Sequence, residues 1–156
     1  MATTIVPSDL NVTITESYTL NGVDYGNTTN KTYTDNGHVS QRVMSIAGKT
    51  AEATSWTDIL ALTTVDGQGQ VVKTDYKYFR IKNLDTVNTL NLRVYNGVEY
   101  IAFEVSPASS LLFMDAGIDS PASAATAVGF TDIQAIAGQS SHDTEAIDVE
   151  FVMVTA

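Results

Sequence analysis

Residues 76–113 read YKYFRIKNLDTVNTLNLRVYNGVEYIAFEVSPASSLLF, and three short runs inside this stretch decide the fold. In the first, Phe79 and Ile81 alternate with Tyr78, Arg80 and Lys82. In the second, Leu90, Leu92 and Val94 alternate with Asn91, Arg93 and Tyr95; in the third, Ile101, Phe103 and Val105 alternate with Tyr100, Ala102 and Glu104. Successive side chains of a strand point to opposite faces, so a period of two with one apolar set describes a half-buried strand. Asn96-Gly97 separates the second run from the third, and Asn-Gly suits the type I′ turn, whose two central residues need positive φ. The stretch therefore predicts an antiparallel β-meander.

The same reading extends outward in both directions. Leu10, Val12 and Ile14 alternate with Asn11, Thr13 and Thr15, a first strand that runs towards Leu20, and Asn21-Gly22 then forms a turn. Residues 23–37 are polar and punctuated by glycine, and read as a long loop or weak hairpin. Residues 39–47 form a strand, and residues 56–64, with the lone Trp56, a buried core strand. Beyond Phe113, residues 121–128 are Ala-rich and read as a single helical turn or an extended connection. Residues 130–137 suit a strand, residues 138–144 a polar loop, and Ile147, Val149, Phe151 and Met153 mark a closing strand. About eight short strands with Gly, Asn and Asp turns, and no substantial helix, predict an all-β fold: an antiparallel β-sandwich of jelly-roll type. The division expected is an extended N-terminal arm over residues 1–9 and a single sandwich domain over residues 10–156.

Composition narrows the functional classes. The chain has 156 residues and no cysteine, which excludes disulfides and thiolate metal sites and fits folding in a reducing compartment. It opens on no basic and apolar leader and holds no run of about 18 apolar residues, so neither secretion nor a membrane span is expected. The formal charge is -10. Residues 1–93 hold nine acidic and eight basic side chains, whereas residues 94–156 hold nine acidic and no Lys or Arg. Such a chain lacks the basic footprint that phosphate binding needs, so nucleic acid is not an expected partner. The polarised charge reads first as a solvated acidic face, and alternatively as a basic surface meeting an acidic one on another subunit.

Catalytic motifs fail one after another. Ala47-Gly48-Lys49-Thr50 ends like a phosphate-binding loop, but the motif needs glycine where Val43 stands. There is no Gly-x-Ser-x-Gly, and His38 and His142 lie in polar surroundings without a second histidine at ligand spacing. Asp148 and Glu150 share one face of the last strand at a spacing that suits an acid–base pair, yet a solvent-facing acidic edge is the simpler account. Asp115, Asp119 and the acidic side chains of residues 143–150 offer oxygens to calcium without the ligand spacing of a calcium loop. Tyr18, Tyr25, Tyr33, Tyr95 and Tyr100, read as lying on loops or polar faces, have the large area and polar tip favoured at interfaces. No cofactor is expected, and the chain reads as a non-enzyme.

The segment Tyr78-Phe-Arg-Ile-Lys-Asn-Leu-Asp85, followed by Leu90-Asn-Leu-Arg-Val94, resembles small virion proteins of tailed phages, particularly marine and cyanobacterial ones. In those, a strand ending in R-I-x-N-L-D leads into a second strand, and a short acidic strand closes the chain. The resemblance spans residues 40–155. It implies a capsid decoration (cement) protein, made in the host cytoplasm, that sits as a homotrimer on the virion exterior and binds the major capsid protein. The interface expected on this reading uses Lys73, Lys77, Arg80, Lys82, Arg93, Tyr95 and Tyr100, with an N-terminal arm of Ala2, Thr3, Thr4, Ile5, Val6 and Pro7. A tail, neck or fibre-associated component is the alternative in the same context. A carbohydrate-binding β-sandwich, with Trp56 or exposed tyrosines as the stacking platform, is the alternative from another class.

Overall fold

The computed structural model describes residues 6–49, 56–63, 71–72, 76–95, 100–114 and 133–156. Among these residues the chain is all-β, without a helix. Its strands are β1 (Ser8–Glu16), β2 (Thr19–Leu20), β3 (Val23–Asp24), β4 (Asn27–Asn36), β5 (His38–Ile46), β6 (Thr57–Thr63), β7 (Val71–Val72), β8 (Tyr76–Asn83), β9 (Leu90–Tyr95), β10 (Tyr100–Val105), β11 (Ser110–Met114), β12 (Ala135–Ser140) and β13 (Ile147–Thr155). The chain divides into two compact units, residues 1–38 with Ala156 and residues 39–155.

The second unit is a β-sandwich. One sheet has the order β10-β9-β12-β6-β7 and the other β11-β8-β13-β5. Apart from the short β7, which lies parallel to β6, the first half of the unit pairs with the second: β5 with β13, β6 with β12, β8 with β11, β9 with β10. Successive pairs fall in alternate sheets, as in a long hairpin rolled over on itself. This is a jelly roll. The apolar sets read from the sequence form its interior: Phe79 and Ile81 from one sheet, Leu90, Leu92 and Val94 from the other, closed by Val149, Phe151 and Met153.

The expected meander is not formed. β8 and β9 lie in opposite sheets, as do β10 and β11, and only β9 and β10 pair as a hairpin. Alternation fixes which side chains face the core and carries no information about which strands are neighbours. The crossing from β8 to β9 is made by a hydrogen-bonded corner. Asn83, fully buried, donates through Nδ2 to Asn88 O at 2.9 Å and Val105 O at 3.1 Å, and its Oδ1 accepts from Asp85 N at 3.0 Å. Asp85 Oδ1 accepts from Val87 N at 2.7 Å and Asn88 N at 2.6 Å. The Asn83-Leu84-Asp85 segment thus supplies the chemistry of a sheet-to-sheet corner. The Asn96-Gly97 turn lies outside the described residues. The Ala-rich segment 121–128 lies outside them as well.

A second correction concerns residues 138–144. Gly138, Gln139 and Ser140 are no loop but the end of β12, a central strand flanked by β9 and β6. A Cβ on Gly138 would lie 3.0 Å from the end methyls of both Ile59 and Leu90, so the interior accepts only glycine without adjustment. Gly48 is held more rigidly: a Cβ there would meet backbone atoms, Thr144 C at 2.8 Å and Asp143 O at 3.0 Å. The approach is fixed by Lys49 N donating to His142 O at 2.7 Å and Ser140 N to Ala47 O at 3.0 Å. Gly48→Ala is therefore expected to cost about 1–3 kcal/mol by overpacking. Gly138→Ala, which meets flexible side-chain ends, should cost less when the two are compared by urea denaturation.

In the first unit, β1 pairs antiparallel with β4 as a two-stranded ribbon, and β2 pairs with β3. Residues 27–36 are thus a ten-residue strand where sequence suggests a long loop or weak hairpin, and Tyr33, expected on a loop or polar face, is buried within it. Polar cross-strand pairs replace apolar alternation: Thr13 donates to Asn30 Oδ1 at 2.8 Å and Thr32 to Asn11 Oδ1 at 2.7 Å. Each pair sits directly opposite in the register, where such contacts stabilise a sheet. Asn21 and Gly22 make the expected turn, with φ of 52° and 79°. Leu20 pairs with Val23 across it, the two-residue loop that positive φ at both positions permits.

Candidate binding face

The outer face of the five-stranded sheet is built from residues that alternate with its core set. The register places Tyr100 opposite Tyr95, and Tyr95 opposite Ala135, which also faces Ala61. The next row holds Ala102, Arg93, Ala137 and Asp58. Asp58 reaches this face through a bulge. Period two would put it with Leu60 and Leu62 in the core, but the register shifts between Ile136 and Ala137, leaving Ile59 as an extra residue on β6. Ile59 and Leu60 are both buried as a result, and Asp58 turns outward.

Alanines at two positions of the central strand leave a depression between larger side chains. Asp58, Arg93, Tyr95, Tyr100, Ala135 and Ala137 line a groove of about 240 Å³. The Arg93 guanidinium lies 4.5 Å from the ring centroid of Trp56, a cation–π contact that fixes its orientation. Tyr95 and Tyr100 are 36% and 64% exposed, large flat apolar surfaces beside a charged pair. The chain matches no family model, no curated protein and no solved structure.

Of the interface residues expected from sequence, Arg93, Tyr95 and Tyr100 come together on this face. Lys77, Arg80 and Lys82 lie on β8, in the other sheet. There the basic segment meets the acidic closing strand within one chain. Lys82 stands opposite Glu150, Arg80 Nη2 lies 3.5 Å from Glu150 Oε1, and Gln41 Nε2 donates to the same oxygen at 2.6 Å. A partly exposed pair of this kind is worth at most about 1 kcal/mol. Val6 is exposed, and Pro7 with it; Ala2, Thr3, Thr4, Ile5 and Lys73 lie outside the described residues.

The other candidates have structural roles. Glu150 is engaged by Arg80 and Gln41, while its proposed acid–base companion Asp148 is exposed. His142 Nδ1 accepts from Thr144 N at 3.2 Å and Glu145 N at 3.0 Å, closing the turn after β12. Among the described residues no group of three His, Asp or Glu side chains is placed to hold a metal ion; Asp115 and Asp119 lie outside them. Sequence reasoning missed Asp58, Ala135 and Ala137. A bulge leaves no periodic signal, and alanine becomes a groove only once its taller neighbours are known.

Proposed function

We propose that this chain is a non-enzymatic structural protein of a virus particle, a decoration protein that binds the outer shell as a homotrimer and stabilises it through its interfaces. The observation that carries the reading is the ribbon of the first unit. Most side chains of β1 and β4 are exposed, and Tyr18, Leu20, Val23 and Tyr25 around the Asn21-Gly22 turn are 56%, 48%, 53% and 60% exposed. Tyr18 and Tyr25 pack against each other with centroids 6.1 Å apart, forming one apolar cluster. A two-stranded hairpin is only marginally stable in water by itself, so a long ribbon ending in exposed aromatic and aliphatic side chains suits burial against a partner. Jelly rolls serve capsids and lectins alike, and fold alone carries no function. The virion context comes from the resemblance over residues 40–155, and the ribbon supplies a docking element consistent with it. Repeated shell sites would let modest contacts add by multivalency.

The test is quantitative mass spectrometry of purified particles against the major shell protein. Hundreds of copies per particle are expected. A few copies would place the protein in the tail or neck, and absence would overturn the virion reading. Changing Leu20 and Val23 together to serine should release the protein from pelleted particles while leaving its far-UV spectrum unchanged.

A further inference from the structure

We propose that the groove on the outer face of the five-stranded sheet is a binding site for a neutral saccharide, independent of any docking to a shell. The donor and acceptor set fits sugar hydroxyls, each of which both donates and accepts. Arg93 brings N–H donors, held in place by Trp56, and Asp58 brings a carboxylate acceptor; only Ala137 separates them across the strands. Tyr95 and Tyr100 stand opposite each other along one wall and offer rings against which the C–H face of a pyranose packs. A groove of about 240 Å³ is on the scale of a single sugar ring rather than a polymer.

The same residues argue against other ligands. A phosphate or sulfate would meet one guanidinium and, beside it, the Asp58 carboxylate, in a chain whose formal charge is -10. A divalent cation would find one carboxylate and an arginine. A neutral polyol satisfies both charged groups at once. The bulge in β6 has a purpose on this account: it takes Asp58 out of the core-facing set and aims it at the ligand.

Trp56 is the only tryptophan in the chain and stacks on Arg93, so its emission reports on the groove. The full-length protein would be titrated with methyl glycosides of glucose, galactose, mannose and N-acetylglucosamine, with saturation-transfer NMR as a second readout. Saturable millimolar binding of at least one glycoside is expected. Tyr100→Ala should weaken it about tenfold. Asp58→Ala should weaken it about ten- to a hundredfold. Ala135→Leu should abolish it by filling the groove, with an unchanged far-UV spectrum. Absence of a response in both readouts overturns the proposal. So does binding that survives Ala135→Leu, or a preference for glucuronate or sulfated sugars over the neutral ones.

Discussion

Replacing Phe79 with alanine is expected to destabilise the jelly roll by about 3–5 kcal/mol, the cost of emptying an aromatic site in a packed core. Phe79 is fully buried on β8. Its ring lies 6.1 Å from both Phe113 on β11 and Phe151 on β13, and Phe113 makes an edge contact with Phe103 of the opposite sheet at 5.4 Å. The aromatic cluster therefore joins three strands of one sheet and reaches the other. Domains of this size are stable by about 5–15 kcal/mol, so the loss is a large fraction of the whole. Thermal denaturation followed by near-UV circular dichroism measures it. Phe79→Leu, which keeps most of the apolar volume, should lose much less. Equal losses for the two variants would mean that Phe79 acts through something other than filled space.

Burial was legible in the sequence where a strand has one wet face. Period two alone places Phe79, Ile81, Leu90, Leu92 and Val94 in the core, and all five are fully buried. Strand partnership was not legible, because β8 could continue the alternation of β9 in the same sheet or in the facing one. The corner at Asn83 and Asp85 settles which, through side-chain hydrogen bonds that no periodicity encodes. Two strands were hidden by their composition. β4 carries Thr and Asn on a ladder of side-chain hydrogen bonds, and β12 ends in Gly138, Gln139 and Ser140, whose small or polar side chains look like a turn. In the candidate site, Arg93, Tyr95 and Tyr100 were visible as the polar partners of core residues. Asp58 was concealed by the bulge that displays it.

Charge teaches a similar lesson. The basic segment and the acidic closing strand look like complementary faces of two subunits when read along the chain. Strand pairing sets β8 beside β13 instead, so at Arg80 and Glu150 the complement is met internally. The basic groups of β8 then do not by themselves define a docking surface. The ribbon of the first unit and the Arg93 groove are the stronger candidates for contact with other molecules, and they differ in chemistry: an apolar cluster at one, a charged pair flanked by tyrosines at the other.

The corner also gives the clearest prediction about pH. Asn83→Asp is expected to destabilise the fold by about 3–5 kcal/mol at neutral pH, because it places a carboxylate in a buried site without a compensating charge. Asn83 Nδ2 now donates to the carbonyls of Asn88 and Val105; an aspartate oxygen in that position would face them as a second acceptor. Burial and those carbonyls would raise the folded-state pKa of the new carboxyl above its unfolded value of about 3.9. Below that value both states are protonated and the ionic penalty vanishes, so the stability of the variant falls as pH rises from about 4 towards neutrality. Two residues away the native Asp85 has the opposite sign. Hydrogen bonds from the amides of Asn88 and Val87 hold its carboxyl below the ordinary value, so its contribution is present above the unfolded pKa and is lost as pH falls through the folded one. Urea denaturation from acid to neutral pH should therefore show a difference between native protein and Asn83→Asp that is small in acid and grows with pH. For Asn83→Ala the difference should be present at every pH and nearly constant, since the alanine variant loses all three side-chain hydrogen bonds and gains no charge. Parallel pH curves for Asn83→Asp and Asn83→Ala would show that the site admits enough water to solvate the carboxylate, and would overturn the expected ionic penalty at buried Asn83.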